Sequence, residues 1–308
     1  MRWASFQSFW PLALAIQAPP AIILAALRRF RGAALFRGPR PSPSQGVPFW
    51  PSGLTLRSSR PAYGGRLIWA VGPHTDCSGG LMPYTKTVVC FANSRKTAGR
   101  CIAGKEWNNG IPGEWFRPVS SRPTHEISEE ERRFQNGQDA KLLDIIAIPC
   151  ALPQPSAHQR ENHVIDPGYY WSLKGTLAWT DISAWLDTPQ TLWGIGHGSY
   201  SGQNNRVAIG QEDGSSLYLV AVPRLRLLVG RKAPEYPDSK RGVRGEFIYQ
   251  GSVYRMDVTD PFIEREYLRQ ADGRYEITNP VLCISLGDPY QGYFYKLIAA
   301  VLFEDQFR

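Results

Sequence analysis

Lysine is missing from the first 81 residues of this 308-residue chain, and so is every acid but Asp76. Nine arginines (2, 28, 29, 31, 37, 40, 57, 60 and 66) stand there and carry the whole formal charge of +8. Of the 35 bases and 27 acids, residues 82–308 hold 26 of each. Net charge therefore excludes itself as an argument for a nucleic-acid partner of the remainder, and only local clusters of cations count. Cysteine is scarce too. The five residues at 77, 90, 101, 150 and 283 are odd in number and widely spaced, with no CxxC pair. Neither a disulfide framework nor a thiolate metal site can be read from them, which fits a reducing cytoplasm.

Enzyme signatures are also wanting. HQRENH (158–163) has its histidines five apart on an expected strand, which sets them on opposite faces; HExxH zinc chemistry needs both on one helix face. GIGHGSYSGQ (194–203) places Tyr200 where GxSxG needs its serine, and lacks the GK[ST] ending of a phosphate loop. No pair of acids has the spacing of a metal-dependent nuclease or a glycosidase. The expectation is a chain without cofactor, metal or catalytic residues.

The apolar run FWPLALAIQAPPAIILAAL (9–27) invites a membrane anchor or a signal peptide. Pro11, Pro19 and Pro20 interrupt the helix, and no small-residue cleavage site follows. Residues 37–66 are rich in Pro, Ser, Gly and Arg without a period. Residues 1–81 read as a disordered or spurious extension, with Met82 as the natural start and no membrane partner.

What is present begins at Met82: two halves with one order of elements. In the first, TVVCFA (87–92), RCIAGKEW (100–107) and EWFRPVS (114–120) read as strands, with turn chemistry in NNGIPG (108–113). SEEERRF (128–134) carries a capping box and reads as a short helix. LLDIIAIPCA (142–151) and HQRENHVID (158–166) are the next strands. In the second, RLRLLVG (224–230), GEFIYQG (245–251) and SVYRMDV (252–258) precede a helix at FIEREYLRQ (262–270), capped by Asp260 and Pro261. VLCISLG (281–287) and YKLIAAVLF (295–303) close it. A helix between strands three and four is the order of an OB barrel. The expected fold is mainly β with short helices: two OB-fold-like five-stranded barrels, at 82–166 and 217–308. A connection at 167–216 joins them. It holds four tryptophans (171, 179, 185, 193) and a short helix at DISAWLD (181–187), and it is expected to pack across both barrels.

The runs VVCFANSRKTAGRCIAGKEW, GEWFRPVSSRPTHEISEEERR, LLDIIAIP, HQRENHVID, TDPFIEREY and SLGDPYQGYFYKLIAA resemble the dual OB-containing domain proteins of bacteria over residues 82–308. The resemblance implies two OB barrels, nucleic-acid binding and work alongside bacterial defence systems. It lends no catalytic residues.

The candidate ligand residues follow from where an OB barrel binds. Between the first two strands stand Asn93, Ser94, Arg95, Lys96 and Arg100, cations spaced by small residues that suit phosphates. On the third strand Trp115 and Arg117 share a face, a stacking ring beside a cation, followed by Ser120. Arg160 and Glu161 offer polar contacts at a barrel end; Asn205 and Arg206 follow the glycine-rich turn. Tyr290 and Lys296, with Tyr293 and Tyr295, form a second aromatic-basic cluster. The leading reading is a non-catalytic module for nucleic acid or nucleotides. The rivals are an enzyme recruiting Glu161 or Asp144, and an adaptor for an operon-encoded protein partner.

Overall fold

The computed structural model describes residues 82–308 except 234, 236 and 237; the expectations for residues 1–81 lie outside it. The first half opens with β1 (Tyr84–Lys96), β2 (Gly99–Asn108) and β3 (Ile111–Val119). Asn109 and Gly110, both at positive φ, make the two-residue turn between the last two, the geometry that suits the right-handed strand twist. Helix α1 (Glu129–Arg132) follows, closed by the expected capping box: Ser128 Oγ accepts from Glu131 N–H, and Glu131 accepts from Ser128 N–H. Then come β4 (Asp144–Pro153), β5 (Asn162–Ile165) and β6 (Ser172–Thr176). Pairing runs β1-β2-β3-β5-β4 and returns to β1, with β3 and β5 parallel. That is a closed five-stranded OB barrel. β6 adds to β4 outside it.

After the connection come β7 (Arg206–Ala208), β8 (Leu217–Ala221), β9 (Arg224–Arg231), β10 (Arg241–Tyr249) and β11 (Ser252–Val258), then α2 (Pro261–Tyr267), β12 (Gly273–Thr278), β13 (Val281–Tyr290) and β14 (Tyr293–Leu302). Only Val222-Pro223 separates β8 from β9, and only Asn279-Pro280 separates β12 from β13. β12 pairs with β9 and β13 with β8, and the register holds across both breaks: Thr278 faces Arg224 and Val281 faces Ala221. Val222 N–H donates to Pro280 O at 3.1 Å and Asn279 N–H to Pro223 O at 2.9 Å. A proline has no N–H for a continuous ladder, so each long strand breaks there without losing its partner. Read this way, the second sheet closes in the same order as the first, with β11 and β14 parallel.

Several expected boundaries move. Residues 158–161 form a turn, pinned by Ser156 N–H to Gln159 O, so the strand expected over 158–166 shrinks to β5. Of DISAWLD, residues 181–185 belong to a 3-10 helix, Trp179–Trp185, which begins two residues earlier than expected. β6, β7, β8 and β12 are short strands that the sequence pattern did not mark.

Three buried cores result. One fills the first barrel around Ile102, Phe116, Ile146, Ile148 and Trp171. Another fills the second around Leu225, Leu227, Phe247, Tyr254 and Ile298. The third lies between them and joins Val89, Phe91 and Ala92 to Leu217, Leu219, Cys283 and Ala300, with Trp185 from the connection. A bulge in β1 at Phe91, between Cys90 and Ala92, is what turns both Phe91 and Ala92 toward this shared core. The four tryptophans divide among these places: Trp171 in the first barrel, Trp185 in the shared core, Trp193 in the second barrel and Trp179 at the edge of the shared core.

Candidate functional site between the barrels

The expected loop at 93–100 is shorter than it looked. β1 runs to Lys96 and β2 starts at Gly99, so Arg95 and Arg100 are ladder partners at the tip of a hairpin. Gly99 does allow a close backbone approach, but to the chain itself: a Cβ there would stand 2.6 Å from Ile127 O. That approach lets Arg100 and Ile127 exchange two backbone hydrogen bonds of 2.9 Å, which fixes Arg100. The hairpin tip leans on the second barrel. Arg95 N–H donates to Thr259 O, and its guanidinium grips Glu264 with two bonds of 2.9 Å. Lys96 lies 3.2 Å from Asp288. Ser94 is buried and donates to Cys101 O.

Trp115 and Arg117 share one face and Phe116 points into the barrel, as strand alternation requires. That face is covered rather than open, so it offers no single-strand platform. Arg117 is 3% exposed. Its guanidinium donates to Glu161 at 3.0 Å, to Ser216 Oγ at 2.8 Å, to Ser285 Oγ at 3.5 Å and to Cys101 Sγ at 3.0 Å. Burial works against the charge, but the Cys101 sulfur and the Glu161 carboxylate outweigh it and raise the pKa of Arg117. Beside this knot, Lys105 donates to Asp187 at 2.6 Å and lies over the Trp115 ring. Asp187 also accepts from Trp115 Nε1 and from Leu219 N–H, so one carboxylate ties both barrels to the connection. No short-range signal in the sequence pointed to Asp187.

The other candidates scatter. Ser120 is buried and donates to Glu131. Arg160 is exposed, its guanidinium over Gly214. Asn205 is buried and exchanges two bonds of 2.8 Å with Ser199. Arg206 donates to Gly198 O and stacks on Tyr293 at 4.3 Å. Tyr290 is exposed and 6.3 Å from Tyr295. Lys296 does not join them at the surface: on β14 it shares the inward face with Phe294 and Ile298, with no exposure at all. There it donates to Gly194 O at 2.8 Å, and burial lowers its pKa to about 7.

Two of the candidates, Asn93 and Arg100, do meet at an open site. They line a cleft of about 1010 Å³ to which both barrels contribute. Arg100 has no side-chain partner among the described residues; burial and the charge of Arg132 lower its pKa, while Asp139 and Asp260 oppose that. The same cleft is lined by aromatic rings. Trp179 and Phe307 stack at 5.6 Å with ring planes 15° apart, and Phe262 lies at the start of α2 with the Arg265 guanidinium over its ring. Lys141 adds a further cation. Two of the cleft's acids are held by backbone amides. Asp144 accepts from Lys141 N–H at 2.8 Å, and burial raises its pKa. Asp260 accepts from Phe262, Ile263 and Val301 N–H as the cap of α2. Trp179, Phe262 and Phe307 stand too far apart in the chain to form a readable motif; only the fold brings them together.

Residues 86–301 match the dual OB-containing domain. The chain belongs to this family. No curated protein matches it. Among the described residues of the dual OB-containing domain no helix is long and apolar enough to cross a membrane. The family assignment agrees with both barrels and supports an OB-type binding module; the cleft is where this member keeps cations and rings open to a ligand.

Proposed function

We propose that this dual OB module binds a nucleotide, free or as a unit of a nucleic-acid strand, in the cleft between its barrels. The carrying observation is that one cleft is lined by Arg100, without a side-chain partner among the described residues, and by the stacked Trp179 and Phe307. A planar base and its phosphate ask for a ring surface and a cation, and base stacking on aromatic side chains supplies affinity without sequence preference. The cleft volume is at the upper end of small-ligand sites, about 300–1,000 Å³. The face of the first barrel that would hold an extended strand is occupied by the second barrel, which favours a ligand of nucleotide size over a long tract. The same proposal carries the defence-associated setting that the resemblance implies and the reducing cytoplasm that the cysteine usage fits. An enzyme recruiting Asp144 is the rival; one oxygen of that carboxylate accepts from the Lys141 amide.

The test is calorimetric titration of the full chain with mononucleotides and short single-stranded oligonucleotides at low and physiological salt. Arg100→Ala should weaken binding about tenfold or more, the size of one charge-assisted contact. A steep salt slope identifies a strand contacting several phosphates, a shallow one a single nucleotide. Wild-type affinity in the Arg100→Ala protein would overturn the proposal.

A further inference from the structure

In the first barrel, the outward face of the first three strands is covered by protein: Val89 and Phe91 enter the shared core, and Arg117 reaches Ser285 of the second barrel. The second barrel leaves the corresponding face open. There β9, β10 and β11 turn Leu225, Leu227, Phe247 and Tyr254 into the core, so the alternate residues point out. At one end of that face lies a groove of about 500 Å³, lined by Arg224, Arg226, Glu246, Ile248 and Val253 beside Pro223. Its floor is aliphatic. Ile248 is 60% exposed and is the ladder partner of Val253. Its one ring, Phe247, is buried in the barrel, so the groove gives a base nothing to stack on. Its rim is charged. Glu246 accepts from Arg226 and Arg255 at 2.9 Å each and is thereby neutralised. Arg224 is the available cation. Its side chain is 65% exposed, and its ion-pair partner among the described residues is Glu276 at 3.7 Å, beyond hydrogen-bond reach and shared with Arg226.

We propose that this groove docks a protein segment carrying an aliphatic side chain beside acidic ones. The aliphatic group covers Ile248 and Val253, and a carboxylate takes the Arg224 guanidinium. Burial of exposed apolar surface supplies the affinity. The guanidinium, whose planar fork matches a carboxylate, supplies the selectivity for acidic partners. The groove shares no lining residue with the cleft, so this docking does not depend on the nucleotide reading.

The experiment is selection of a random-peptide library on the immobilised full chain, followed by fluorescence anisotropy of the enriched peptides. They should carry Leu, Ile or Val next to Asp or Glu. Their affinity should fall about tenfold or more in Ile248→Asp and in Arg224→Glu, both at exposed positions. In Arg224→Glu, exchanging the acids of the peptide for lysine should restore binding, which a misfolded variant could not do. No enrichment, enrichment of peptides without acids, or wild-type affinity in both variants would overturn the proposal. So would failure of the lysine peptides to rescue Arg224→Glu. A labelled single-stranded oligonucleotide that binds the wild type and loses affinity in Arg224→Glu would overturn it too, by making this face a phosphate surface.

Discussion

Arg117 on the first barrel and Lys296 in the second are both cations without meaningful solvent contact, and they are held in opposite ways. Arg117 points outward from its barrel into the shared interface, where a carboxylate, two hydroxyls and a sulfur surround it. Lys296 points inward, against the Tyr254 ring at 5.3 Å, with one backbone carbonyl for its three N–H groups. One barrel fold thus treats buried charge in two ways: compensated where two barrels meet, uncompensated inside one. The difference follows from chemistry. A planar guanidinium can satisfy several acceptors at once and keeps its proton; an ammonium on a flexible stem can give its proton up. Hence the raised pKa of Arg117 and the lowered one of Lys296.

The hardest blow to this contrast is Arg117→Ala. It leaves the buried Glu161 without its counter-charge, held only by Ser216 Oγ among the described residues, and the expected loss is about 3–5 kcal/mol in urea denaturation. Arg117→Met with Glu161→Leu removes both charges and should cost much less. If the double variant is as unstable as the single one, the knot is not an ion pair held by mutual compensation.

Lys296→Met should act in the opposite direction. The folded pKa of about 7 lies below the ordinary lysine value near 10.4. Between those values the unfolded chain binds a proton that the folded one refuses. Stability therefore falls as pH drops from about 10 to about 7, and is flat below. Removing the amine, less the bond to Gly194 O, should raise stability at pH 7 by roughly 3 kcal/mol and erase that slope. Urea curves at two pH values in this window decide it. A wild type equally stable at both, with a less stable variant, would mean that the lysine stays charged and the contrast collapses.

The burial of neither cation was legible in the sequence. EWFRPVS gave the right strand and the right alternation, so the shared face of Trp115 and Arg117 was legible; what covers it was not, because Ser216 and Ser285 lie about 100 and 170 positions away. SLGDPYQGYFYK marked Lys296 as basic and near tyrosines, yet Phe294, Lys296 and Ile298 share the inward period, which a charge-first reading overlooks. Turns and caps were the most legible features, since they depend on neighbours: Gln250-Gly251 forms the two-residue hairpin turn with both φ positive, and Asp260 caps α2. The barrel order was legible from the place of the helix. The breaks at Pro223 and Pro280 were not, because each splits a strand that only its partner keeps in register. Of the candidate site, Asn93 and Arg100 came from a local cluster, while Trp179, Phe262 and Phe307 are joined only by the fold.

The smallest effect belongs to Arg95, the first cation of the 93–100 cluster. Its guanidinium is 54% exposed at Glu264, at the tip of the same hairpin whose other arm holds Arg100. Two exposed bidentate bonds in water contribute about 0.5–1 kcal/mol, and salt screens them. A double-mutant cycle of Arg95→Ala and Glu264→Ala should return a coupling of that size at low salt and close to zero at high salt. The main-chain bond from Arg95 N–H to Thr259 O survives both substitutions and keeps the tip in place. Nucleotide affinity should change little in Arg95→Ala, because Glu264 already neutralises that charge, whereas the unpaired Arg100 keeps its own for the ligand. A coupling above about 2 kcal/mol that persists in salt would place the hairpin tip with Arg117 among the compensated contacts that lock the barrels together.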